Sequence, residues 1–116
     1  MIAIWDKRLS VGDSVLDAEH RQVISLLNEI AVASSVGAPA IIIQKALESL
    51  SRAIDRHFAR DEYPHGEHAA IAALARRLCE AGPPTADRRA LMNLARRWLD
   101  HMGRREPDIT QQRLAG

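Results

Sequence analysis

From Ile43 onward the chain places an apolar residue every three or four positions, at Ile43, Leu47, Leu50 and Ile54, and the same steps then reach His57 and Asp61. Such steps keep side chains on one face of an α-helix, so this stretch predicts an amphipathic helix whose buried stripe ends in two metal-type ligands. Pro39 can open that helix. Upstream, His20, Val23, Leu27, Ile30 and Ala31 share one face of a first helix, for which Asp17 is a suitable N-cap and Gly37 a stop. A third helix is expected from Pro64 or His65 through Ile71, Leu74 and Leu78 to Gly82, where Gly82-Pro83-Pro84 ends it. A fourth begins near Thr85 to Asp87, presents Leu91, Leu94, Trp98 and His101, and is stopped by Pro107, leaving a short polar tail. Residues 1–16 lack this periodicity and read as an extended arm lying across the helices, anchored by Trp5, Leu9 and Val11. The expected fold is all-α, an up-down-up-down antiparallel four-helix bundle with an extended N-terminal arm, forming a single domain over residues 1–116.

Composition agrees with that pattern. The 116 residues are 47% hydrophobic but only 3% aromatic, which suits helices rich in Ala and Leu better than a sheet. A net charge of +1 offers no large field for nucleic acid or a membrane surface. The arginine pairs 76–77, 88–89, 96–97 and 104–105 fall where helix exteriors are expected, and read as a solvated face. One cysteine, Cys79, excludes an intrachain disulfide and fits a reducing compartment. Neither a basic segment followed by an apolar run nor a long apolar stretch is evident, so a cytoplasmic location is expected.

The chemistry lies in the histidines. Three of the five, His57, His65 and His68, fall within twelve residues, and Tyr63-Pro64 between them forces a reversal between two helices. In an up-down-up-down bundle the start of an odd helix and the end of an even one share an end of the molecule. His20, His57, His65, His68 and His101 are therefore expected in one layer, joined by the carboxylates of Asp61 and Glu106. Any one of these histidines alone reads as an ordinary surface or core residue; five in one layer do not. Imidazole and carboxylate together suit iron, manganese or zinc, and the absence of clustered thiolates argues against an iron–sulfur site. Seven nitrogen and oxygen ligands are too many for a tetrahedral ion and suit two octahedral metals bridged by the carboxylates.

These motifs resemble those of the bacterial hemerythrins, oxygen-binding four-helix bundles with a non-haem di-iron centre. Trp5 with Val11-Gly12 and Asp17-Ala18-Glu19-His20 is similar to the family's N-terminal signature, and His57-Phe58-Ala59-Arg60-Asp61-Glu62 to its HFxxEE motif. His65 and His68 resemble the third-helix pair, and Trp98-Leu99-Asp100-His101-Met102 with Glu106 resembles the last histidine and second bridging acid. The resemblance covers nearly the whole chain. It implies two iron ions, with His20 and His57 on one, His65, His68 and His101 on the other, and Asp61 and Glu106 as bridges. It implies dioxygen as the ligand, for carriage, storage or sensing rather than turnover, with Val23, Leu27 and Trp98 keeping water out. The chain departs from the family in five places. Asp61 stands for glutamate and Glu106 for aspartate, His65 and His68 are spaced HxxH rather than HxxxH, Trp98 is three residues before His101 rather than four, and the second hairpin is shorter by roughly three turns at 3.6 residues per turn.

Two other functions fit the same residues: a di-iron peroxidase or oxidase, and a diverged bundle holding zinc, one metal or none that serves protein contacts. The short reversal also favours a homo-oligomer in which the third and fourth helices are exchanged with a second chain.

Overall fold

The structure is a computed structural model that describes residues 3–5, 7–10, 12–59, 66–81 and 88–115; of residues 8, 66, 67 and 103–115 it describes the backbone alone. Among the described residues the chain forms four α-helices and no strand: α1 (Ser14–Ser35), α2 (Ala40–Ala59), α3 (Gly66–Ala81) and α4 (Arg88–Ala115). The expectation of an all-helical chain is met.

The helix boundaries follow local chemistry. Asp13, not Asp17, caps α1, its Oδ1 accepting from the backbone N–H of Val15 at 2.9 Å and of Leu16 at 3.1 Å. Both aspartates stand ahead of the apolar repeat, and the helix starts at the earlier one because Ser14, Val15 and Leu16 add a turn at little cost. Asp17 is thereby carried into the first turn, where its carboxylate is buried and accepts from the Ser10 hydroxyl. At the other end Val36 closes the helix and Gly37 turns the chain with φ 68°, a conformation that a side chain disfavours. Pro39 sits just before α2 rather than inside it, and its carbonyl accepts from Ile42 N–H at 3.0 Å and Ile43 N–H at 3.3 Å.

The fourth helix overturns one expectation. Pro107 lies inside α4, and the helix continues to Ala115 in place of a short tail. Proline's fixed φ is itself helical, and what it removes is one backbone hydrogen bond. Gln111, Gln112, Arg113, Leu114 and Ala115 beyond it are good helix formers that each add a bond. At 28 residues, about 42 Å by the standard rise, α4 accounts for much of the 51 Å long axis of the molecule.

The four helices close a ring of contacts, α1 on α2, α2 on α3, α3 on α4 and α4 back on α1, which is the packing of a helix bundle. The core inside that ring includes Val23, Leu27 and Ile30 from α1, Ile43, Leu47, Leu50 and Ile54 from α2, Ile71 and Leu78 from α3, and Leu91, Leu94, Trp98 and Met102 from α4. The apolar stripe of α2 is therefore buried as its periodicity predicts. Arg76, Arg77, Arg88, Arg89 and Arg96 are exposed, as a solvated face requires.

The first described residue, Ala3, is tied to α1. Ala3 N–H donates to Asn28 Oδ1 at 3.1 Å and Asn28 Nδ2 donates to the Ala3 carbonyl at 2.7 Å, so the side-chain amide is read like a neighbouring strand. Ala3 is 3% exposed and is a deeper anchor than the tryptophan. Trp5 and Leu9 are partly buried against the core, the Arg21 guanidinium sits 4.9 Å over the Trp5 ring, and residues 7–9 form a 3-10 turn rather than extended chain. Val11 falls outside the described residues, as do the expected starts of the third and fourth helices at 64–65 and 85–87.

The boundary analysis makes a direct prediction for chemical unfolding. Asp13→Ala loses a cap and should cost about 1 kcal/mol. Gly37→Ala meets no steric obstacle, since an added Cβ has nothing within 4 Å, yet should cost about 1–2 kcal/mol from its positive φ alone. Leu27→Ala should cost more than either, on the order of 3 kcal/mol, because it opens a cavity in the core.

Candidate metal centre

The polar ends of the apolar faces meet inside the bundle. His20 stands two turns into α1 below Val23 and Leu27, His57 continues the α2 stripe beyond Ile54, and His101 follows Leu94 and Trp98 on α4. The packing that buries those neighbours buries the imidazoles too: His20 and His57 are fully enclosed and His101 is 2% exposed. His20 Nε2 and His57 Nε2 are 3.3 Å apart, and His57 Nε2 and His101 Nε2 are 3.4 Å apart. One ligand nitrogen from each ring lies within 4.8 Å of those of the other two, so the three can hold a metal ion.

Both close pairs are long for a hydrogen bond and fit the edges of a metal site. Nitrogen hydrogen bonds centre near 2.9–3.0 Å. Two nitrogens bound to one ion at about 2.05 Å in tetrahedral geometry stand about 3.3 Å apart, which is the spacing of both pairs. Proton count points the same way. The Glu19 carboxylate accepts from His57 Nδ1–H at 3.3 Å, which leaves the neutral ring only a lone pair at Nε2. That lone pair is approached by two further Nε2 atoms. One lone pair serves one donor well, whereas a cation would take an electron pair from each ring.

Glu19 is the residue the sequence did not single out. It directly precedes His20, and residues i and i+1 of a helix diverge by about 100°, so spacing gives no reason to join them. Its partner is on another helix, thirty-eight positions away. A carboxylate behind a ligating histidine fixes ring orientation and raises basicity.

Trp98 forms one wall, with its ring centroid 5.3 Å from those of His57 and His101 and 5.7 Å from that of His20. Phe58 forms another, 5.3 Å and nearly perpendicular to His101. Val23, Leu27 and Trp98, expected to keep water out, are all fully buried.

His68, the fourth described histidine, is 7% exposed and close, its centroid 5.1 Å from that of His101. Its ring lies flat on Phe58, centroids 4.2 Å apart and 8° from parallel, and it is outside the three-residue ligand group. Asp61 and His65 lie outside the described residues, and Glu106 falls within α4 with its side chain outside the description. The structure thus brings together three of the seven expected ligands and sets a fourth beside them. The expected division of ligands had His20 and His57 apart from His101; in the structure His101 Nε2 is as near to His57 Nε2 as His20 Nε2 is.

Comparison with family models, with curated proteins and with solved structures finds no match to this chain. No helix among the described residues is long and apolar enough to cross a membrane.

If the three imidazoles hold an ion, folding and binding are linked. A divalent ion at about a hundred times its Kd should add about 2.7 kcal/mol and raise Tm by on the order of 10 °C, reversed by a chelator. Calorimetry of the metal-free and metal-loaded protein at matched pH checks this, and His57→Ala should remove the shift.

Proposed function

We propose that the chain is a hemerythrin-like non-haem iron protein that binds dioxygen, as a carrier, store or sensor rather than an enzyme. The observation that carries this reading is the convergence of His20, His57 and His101 from three helices at metal-ligand spacing in a buried site. It is supported by fold: His20 near the start of α1 meets His57 near the end of α2, as an up-down-up-down topology requires, and Ala3 bound along α1 suits an N-terminal arm. It is supported also by the sequence resemblance around these histidines, through which Asp61, His65, His68 and Glu106 would complete a carboxylate-bridged pair of iron ions.

Iron, when bound, supplies an open coordination position for dioxygen. The protein supplies the rest. His20, His57 and His101 bind, Glu19 holds the His57 ring, and Trp98, Val23 and Leu27 exclude water that would let protons reach the ligand. A dry cover of this kind favours release of bound oxygen over its reduction.

A second reading, a bundle that holds one zinc ion for structure, draws on the same three nitrogens, because zinc is satisfied by imidazole in tetrahedral geometry. Anaerobic purification followed by metal analysis and an optical spectrum separates the two. Iron and a charge-transfer band that rises in air and disappears on degassing are the expected outcome. Bleaching with steady consumption of hydrogen peroxide would mean an enzyme, and a colourless zinc protein would overturn the oxygen-binding reading.

A further inference from the structure

We infer that the first metal ion taken up by this chain is held by His20, His57 and His101 together, with Glu19 positioning His57, and that His68, stacked on Phe58, is not among its ligands. This rests on the proposal of a metal centre and specifies which atoms build it first.

The argument starts from the separations. His57 Nε2 is the shared vertex, 3.3 Å from His20 Nε2 and 3.4 Å from His101 Nε2, and both are lengths of a coordination edge. An ion there draws on three side chains that already stand within 4.8 Å of one another by their ligand nitrogens. The three ligands stand on α1, α2 and α4, each beside fully buried neighbours: Val23 after His20, Ile54 before His57, Trp98 and Met102 flanking His101. Their directions are therefore fixed by packing before any ion arrives, which lowers the entropic cost of ligation.

His68 is positioned differently. Its ring face is covered by Phe58 at 4.2 Å and 8°, while its plane stands at 84° to that of His101. Its nitrogens stand outside the group formed by the other three, so joining them requires the ring to move, which disturbs its stack on Phe58. Phe58 itself is half-buried and touches His57, Trp98 and His101 as well, so it cannot follow His68 freely. The stack keeps His68 apart from the first ion and near enough, 5.1 Å from His101 by ring centre, to serve a later one.

Glu19 acts through His57. Its Oε1 takes the Nδ1 proton, which selects the tautomer with Nε2 free to ligate and sets the ring's rotation toward His20 and His101. Glutamine at position 19 keeps an acceptor oxygen and loses the charge, whereas alanine removes both.

Titration of the metal-free protein with cobalt(II) under nitrogen tests the assignment, reading d–d absorption and ions bound per chain, with circular dichroism of each metal-free variant as the folding control. The first equivalent should bind with similar affinity, within about threefold, in wild type and His68→Ala. His20→Ala and His101→Ala should each weaken it by on the order of a hundredfold, as expected for loss of a direct ligand where even an outer partner is worth 10–100-fold. Glu19→Ala should weaken it by about 10–100-fold and shift the d–d bands, with Glu19→Gln intermediate. Should His101→Ala fail to fold, His101→Gln repeats the measurement with a polar side chain of closer volume. Equal loss of the first ion in His68→Ala and His101→Ala would group His101 with His68 and overturn the inference while leaving a metal centre in place. Wild type that takes up no cobalt at all would overturn the metal centre itself.

Discussion

Three imidazole rings meet where α1, α2 and α4 would otherwise bury hydrocarbon alone, and the rest of the structure accommodates that meeting. A neutral imidazole has one donor and one acceptor, and neither is satisfied by Leu or Ile. Burying such a group without a partner costs on the order of 1–3 kcal/mol by mutational measure. His20, His57 and His101 are each buried to within 2% of completely, and the rings limit this cost by meeting one another, with Glu19 behind His57. The apolar stripes of α1, α2 and α4 offset it. They supply the burial that drives the helices together and, by continuing past the last hydrocarbon residue into a histidine, place the polar atoms where they meet.

The walls of the site extend the same logic. Trp98 is fully buried and contacts all three imidazole rings, so one large side chain both fills the core and shapes the cluster. Phe58 spans from His57 to His68 and separates a histidine that faces the cluster from one that lies flat beside it. Glu19, at the half-buried edge, contributes a negative charge next to the proton of His57. Exposure rises outward from the rings to this carboxylate, so the electrostatic adjustment of the site is made from its rim and the ligands themselves stay dry.

Much of this was legible in the sequence, and the rest was hidden for identifiable reasons. The run Ile43, Leu47, Leu50, Ile54, His57 announced a buried face with a polar end, because helical period and burial are properties of one element. That His20, His57 and His101 share an end followed from the number of helices. Which aspartate caps α1 did not, since Asp13 and Asp17 are one turn apart and equally suited; only the backbone decides. Pro107 misled because its cost is local while the helix formers after it act together. The Glu19 contact and the position of His101 relative to His57 depend on how far α1 and α4 are rotated against α2, a quantity set by side-chain packing across elements and carried by no spacing along the chain.

That rotation also decides what the site can be. A ligand layer read from sequence is a set of residues at one height, and it admits any division into groups. Packing removes most of the divisions. Trp98 packs 5.3 Å from the rings of both His57 and His101, whose Nε2 atoms approach to 3.4 Å, while Phe58 lies flat on His68, which stays outside that group. The two aromatic side chains, which carry no ligand atoms, thus partition the histidines. In a chain with only four Trp, Tyr and Phe residues in total, two of them stand against the histidine cluster. Rigid rings are suited to the task, having few rotamers and large contact areas, so each holds a neighbour's orientation at low entropic cost.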